Sequence, residues 1–120
     1  MYKEKAQISF EVNDAKNSFA SKTGTAVIDV DSVDHILAGE KVTTVKMDIE
    51  GAEYDALLGM KETLRFHPIL MVSMYHKVED LFRLQLLIEK MCPGAYNYYI
   101  RHYSPTIIET VLYAVPKDLR

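Results

Sequence analysis

Within VKMDIEGAEYDALLGM, residues 45 to 60, the apolar spacing changes from that of a strand to that of a helix across one tight turn. VTTVKMD at 42 to 48 is β-branched and largely apolar on both sides, as in a sheet covered by helices on two faces. From Ala52 to Phe66 the period is helical: Ala56, Leu57, Met60 and Leu64 share a face, and Pro68 ends the run. A strand feeding straight into a helix is the repeating unit of an open α/β sheet. Ligands of such sheets bind beyond the carboxyl ends of the strands. Asp48, Glu50 and Glu53 occupy that position.

The flanking segments extend the pattern. QISFEV at 7 to 12 and TAVIDV at 25 to 30 read as short strands, with a polar loop, NDAKNSFASKTG, between them. Asp31 or Ser32 caps a short helix over DSVDHILAG, which Gly39 closes. ILMVSM at 69 to 74 is a continuous apolar run of the kind found in buried parallel strands. The next helix, KVEDLFRLQLLIEKM, lines one face with Val78, Leu81, Phe82, Ile88 and Met91. After Pro93-Gly94, YNYYIRHY at 96 to 103 and IETVLYAV at 108 to 115 are separated only by SPTI and form an antiparallel hairpin. The whole reads as half of an open, mostly parallel α/β sheet whose last strand runs antiparallel. Gly59 falls inside the expected 52–66 helix, where glycine costs about 1 kcal/mol against alanine, so close packing on the sheet is expected there.

Carboxylates at the mouth of such a strand can act as a general base, bind a divalent cation or hydrogen-bond a hydroxyl substrate. Clustered like charges raise the pKa of at least one of them. A purely structural account is equally open on spacing alone. Acidic residues favour a helix N-terminus, Glu50 with Glu53 resembles a capping arrangement, and Gly51 suits a tight turn. Tyr75, His76 and Asp80 follow the next strand and so should open on the same rim as Asp48. His76 there is a base, a ligand, a donor to substrate, or simply a cap on the junction. Arg101, His102, Tyr103 and Ser104 end the first hairpin strand on that side, where RHYS can clamp an anion or hydroxyl or form an exposed edge. The Tyr96, Tyr98 and Tyr99 cluster reads as packing. His35 and His67 receive no role.

Composition narrows the field. A chain of 120 residues suits one domain, and its net charge of −3 argues against general nucleic-acid affinity. The single cysteine, Cys92, excludes an internal disulfide and any multi-cysteine metal site, and reads as a packing residue. MYKEKAQISFEV is charged from its third residue and has no apolar core of signal-peptide length, so the cytoplasm is the expected compartment. ILMVSMY at 69 to 75 is too short to span a bilayer, and no membrane partner is expected.

Taken in order, VKMDIEGAEYDALLGM, HPILMVSMYHKVEDL and YIRHYSPTIIETVLYAVP resemble the FkbM family of S-adenosylmethionine-dependent methyltransferases. DSVDHIL is similar to the family's short element before the acidic strand. The resemblance runs from about residue 25 to 116 and is weaker before that. DxEGxE is a modest motif alone, but these segments together at these intervals are specific. The resemblance implies a Rossmann-like class I methyltransferase fold and methyl transfer to an oxygen acceptor, often on a sugar or natural product. It implies Asp48 as base or acceptor-orienting group, with Glu50 and Glu53 supporting it and His76 also catalytic. Tyr75, Arg101 and His102 would face substrate, and Asp48 and Glu50 would adjoin the cofactor, S-adenosylmethionine.

Two departures qualify the likeness. The family holds its cofactor on an N-terminal half, with a glycine-rich turn after the first strand and an acidic residue after the second. The five glycines here, at 24, 39, 51, 59 and 94, never come close enough to form that turn. Leu84-Gln85-Leu86 also stands where a proline would interrupt the helix. The chain therefore reads as the C-terminal half of the fold: an N-terminal strand and loop region at 1–24, a partial methyltransferase domain at 25–116 and a tail at 117–120. A second reading is an inert fragment or self-associating module, because the strand at 42–48 would be an apolar edge open to another chain. The expected partners are a small-molecule hydroxyl acceptor and either a second copy or a missing N-terminal half. A metal-dependent hydrolase would need a further fixed ligand, and only His76 is available by position.

Overall fold

The computed structural model describes residues 6–12, 18–21, 26–106 and 108–119. β1 (Ala6–Val12), β2 (Ser18–Ser21) and β3 (Ala26–Val30) form an antiparallel sheet in the order β2-β1-β3. β2 corrects the expected 13–24 loop, within which Phe19 pairs opposite Glu11. SFAS is too short and too weakly alternating to read as a strand, and pairing with β1 supplies what its own propensity lacks. The remaining residues of that loop lie outside the described ones.

Ser32 caps α1 (Val33–Leu37), its hydroxyl accepting from His35 N at 3.2 Å. Ala38 takes the left-handed position at the end of this helix, one residue before Gly39. β4 (Thr44–Met47) follows, and then the expected single helix is split into α2 (Glu53–Leu58) and α3 (Lys61–Leu64). Gly59 is thus the C-cap of α2 and not a mid-helix residue, which removes the cost assigned to it above. The break is held from outside. Asp34 N donates to Gly59 O, while the Asp34 carboxylate accepts from Glu62 N, Thr63 N and the Thr63 hydroxyl at 2.7–2.9 Å. A cap lent from 28 residues away leaves no local trace in the sequence.

β5 (Ile69–Ser73) leads to α4 (Asp80–Met91), and β6 (Tyr96–His102) and β7 (Thr110–Pro116) close the chain as the expected hairpin. The second sheet has the order β4-β5-β7-β6. β4 and β5 pair in parallel, whereas β7 is antiparallel to both of its neighbours. β4, β5 and β6 therefore run one way and β7 alone runs against them. Leu84-Gln85-Leu86 lies in uninterrupted helix.

One face of this sheet carries the core. Val45, Met47, Leu70, Val72, Leu112 and Ala114 meet Leu57, Leu64, Leu84 and Ile88 from the helices. Each fully buried side chain of this size contributes about 1.5–3 kcal/mol, enough to fix which face the helices cover. The opposite face corrects the expectation of a strand apolar and covered on both sides. β4 alternates exposed and buried residues, with Thr44 and Lys46 outward. The register lines up Lys46, Met71, Tyr113 and Tyr99 across the four strands of that outer face. Met71 and Tyr113 are half-buried and Tyr99 is exposed. Among the described residues β4 pairs with β5 alone, so it is an edge, as the second reading anticipated.

The buried stripe of α4 differs from expectation in its first half. Ile88 and Met91 pack on the core as expected, joined by Leu84 and Leu87, whereas Val78, Leu81 and Phe82 are exposed. The sequence carries two apolar stripes here, and contact with the sheet and α2 selects one. Arg83 lies over the Tyr54 ring and bonds the fully buried Asp80 at 2.7 Å. Tyr96 is buried and donates to Pro68 O, consistent with a packing role. His35 bonds Asp31, and His67 meets the edge of Tyr96. No helix among the described residues is long and apolar enough to cross a membrane.

Candidate functional site

Because β4 and β5 are parallel and adjacent, their carboxyl ends open on the same rim. Asp48 leaves β4 there. The chain then reverses through two consecutive left-handed residues, Glu50 (φ 56°) and Gly51 (φ 93°), before α2 begins at Glu53. An L-residue at the Gly51 position is strained, and its Cβ would stand 3.1 Å from Lys77 Cε. The lysine tip can yield, so Gly51→Ala is expected to cost about 1–3 kcal/mol from the backbone alone. Urea denaturation checks this, and an unchanged midpoint would mean that the turn relaxes without cost.

Glu53 does not serve as a capping partner of Glu50. It is fully buried and turns back, one carboxylate oxygen accepting from Ile49 N at 3.0 Å. The same oxygen meets His76 Nδ1 at 2.9 Å. A carboxylate only accepts, so Nδ1 carries the proton. The other imidazole nitrogen, Nε2, faces Asp48 Oδ1 at 3.4 Å and Glu50 Oε2 at 3.5 Å. It is buried and makes no hydrogen bond, and Glu53 Oε2 is likewise unpartnered. The Tyr75 hydroxyl donates to Asp48 Oδ1 at 3.2 Å, and its ring lies against His76. The acidic turn of Asp48, Glu50 and Glu53 and the Tyr75-His76 pair, expected on one rim, are thus one cluster.

Burial pushes the Glu53 carboxyl up, but the His76 bond and the Ile49 N–H outweigh it and hold the group below its ordinary value. Burial also pushes His76 down, and Glu53, aided by the charges of Glu50 and Asp48, raises it overall. Tyr75 is pushed up to about 12 by burial and by the neighbouring Asp48. Each partner thus favours the charged form of the other. Stabilisation from His76 is complete below its unfolded value near 6.5 and is lost as pH rises through the raised folded one. Stabilisation from Glu53 is complete above about 4.5 and is lost as pH falls through the lowered folded value. In buffers free of divalent cations, the urea midpoint is expected to plateau between those values and fall on both sides. His76→Gln should remove the alkaline fall; its persistence would assign that fall to another group.

Arg101 and His102 reach the same rim but not the cluster. They lie on β6, three strand positions from β4, or about 14 Å at the usual strand spacing. His102 bonds Thr110 across the hairpin. A cleft of about 440 Å³ opens on the outer face of the sheet beside Asp48. Ser73, Tyr75, Tyr103 and Tyr113 line it with Lys46. Tyr113, whose hydroxyl hydrogen-bonds that of Tyr103, had no assigned part in the sequence reading. Only the register of β7 against β5 shows that Tyr113 shares a face with Lys46.

This mixed α/β fold, with an acidic rim after its parallel pair, is of the methyltransferase type. Residues 4–98 match the family described as Methyltransferase FkbM domain, and the chain belongs to that family. It is similar to the crystal structure of Methyltransferase FkbM from Methylobacillus flagellatus KT, with a TM-score of 0.75 and 29% identity. The likeness covers 94% of this chain and 26% of that one, so the chain spans about a quarter of that structure's length. No curated protein matches it significantly.

The family implies S-adenosylmethionine as methyl donor. Asp48 and Glu50 stand at the rim; among the described residues no glycine-rich turn faces them, and β4 pairs with β5 alone.

Proposed function

We propose that the chain supplies the acceptor side of an oxygen methyltransferase acting on a small hydroxyl compound of the sugar or natural-product kind. The observation that carries this is the convergence of Asp48, Glu50, Glu53, Tyr75 and His76 at one rim of an FkbM-family sheet. Asp48, nearly half exposed, is the group free to meet an acceptor hydroxyl and take its proton. Glu53 fixes His76, and the Tyr75 hydroxyl holds the Asp48 carboxylate in place. Arg101 and His102 serve a more distant part of a large acceptor. The fold is the C-terminal half of a Rossmann-like methyltransferase domain, and the donor side belongs to another segment or a second copy.

A catalytically inert or self-associating module is the second reading. The unpaired edge of β4 and the half-covered outer face of its sheet favour it. Calorimetric titration with S-adenosylhomocysteine, with sedimentation alongside, separates the two. Saturable binding by an oligomer supports a donor pocket rebuilt between copies. A monomer that binds nothing makes the isolated chain half a site. Binding by a clean monomer would overturn the view that the donor side lies elsewhere.

A further inference from the structure

The unbonded imidazole nitrogen of His76 calls for an explanation, because a buried polar atom without a partner is rare. The ring is only 10% exposed, and Glu53 holds its orientation through Nδ1. That fixed Nδ1–H leaves Nε2 as the atom aimed at the rim, between Asp48 Oδ1 at 3.4 Å and Glu50 Oε2 at 3.5 Å. These separations are too long for hydrogen bonds of useful strength. They match the spacing of two ligands that share one tetrahedral cation, about 3.3–3.5 Å apart when each metal–ligand bond is 2.0–2.2 Å. A carboxylate on the far nitrogen of a metal-bound histidine is also the usual outer partner of such a ligand, fixing its tautomer and ring plane.

Charge leads to the same place. Asp48, Glu50 and Glu53 put three carboxylates around one imidazole, and among the described residues no lysine or arginine forms an ion pair with any of them. Lys77 runs past Gly51 and Lys46 lines the neighbouring cleft, but neither neutralises the cluster. Asp48, Glu53 and His76 each bring a potential ligand atom within 4.8 Å of the others. Glu53 Oε1 is committed to His76 and to Ile49 N, which makes this residue the one that orients the imidazole, and its Oε2 is buried without a partner.

We infer that His76 Nε2, Asp48 and Glu50 form a cradle for one divalent transition-metal cation, with Glu53 as the carboxylate behind the histidine. One nitrogen and two carboxylate oxygens suit zinc or manganese better than magnesium, which prefers oxygen ligands alone. Three protein ligands leave a position open, as catalytic metal sites do. At this rim a water or an acceptor hydroxyl would fill it. The inference deepens the methyl-acceptor reading by naming what binds the acceptor oxygen, and it rests on that reading only for the identity of the fourth ligand.

Zinc chloride titrated calorimetrically into the chelator-treated chain, without any methyl donor, tests the site independently of methyl transfer. One saturable site is expected. Glu50→Gln should weaken it at least tenfold and Asp48→Asn should abolish it, and both residues are exposed enough for the fold to survive. His102→Ala, on the far strand, should leave it unchanged. Absence of saturable binding, or binding indifferent to both acidic substitutions, would overturn the inference. Loss of methyl transfer with zinc binding intact would count against the proposed function alone.

Discussion

Glu53→Ala is expected to destabilise the fold by about 3–5 kcal/mol, the cost of leaving one member of a buried ion pair without the other. The residue is fully buried, and a single oxygen serves both Ile49 N and His76 Nδ1. Alanine leaves the Ile49 N–H and the His76 Nδ1–H unsatisfied at the point where β4 turns into α2. Glu53→Gln isolates the charge. Its amide oxygen can still accept from Ile49, so a smaller loss of about 1–3 kcal/mol is expected. Urea denaturation of both variants decides the matter. Equal losses would mean that hydrogen bonding and not charge holds the turn. A stable alanine variant would show that the Glu53–His76 pair contributes nothing net.

That pair also marks how far the sequence could be read. Asp48 and His76 each follow an apolar strand, so a shared rim followed from the rule that adjacent parallel strands end on one side. The inward turn of Glu53 did not follow. It depends on the left-handed geometry of Glu50 and Gly51 and on a contact 23 residues away, which the register of β4 against β5 brings about. The hairpin was legible because SPTI leaves β6 and β7 no other partner so close in sequence. The split between α2 and α3 was not, because the carboxylate that caps α3 comes from Asp34. In α4 the apolar positions are equivalent as text, and only packing distinguishes Leu84 and Leu87 from Leu81 and Phe82. The outer face of the sheet was misjudged for a related reason. A run such as ILMVSM gives the composition of a strand but not the number of layers built over it.

Asp48→Asn is expected to lower turnover by about 10²–10⁴-fold in a polypeptide that joins this chain to a donor-binding segment, the usual contribution of a positioned general base. The substitution keeps size and an oxygen for the Tyr75 hydroxyl, so the rim should hold its shape. What it removes is the group that takes the acceptor proton. The loss should therefore fall on kcat, with KM for the acceptor changed little, because an amide can still hydrogen-bond a hydroxyl. Glu50→Gln provides the contrast. Glu50 touches the cluster only through His76 and has no Tyr75 bond, so a loss smaller than that of Asp48→Asn is expected. Equal losses in the two variants would point to a shared electrostatic role, in which neither carboxylate is the base. Unchanged turnover in Asp48→Asn would remove it from the reaction and leave the cluster a device for building the turn.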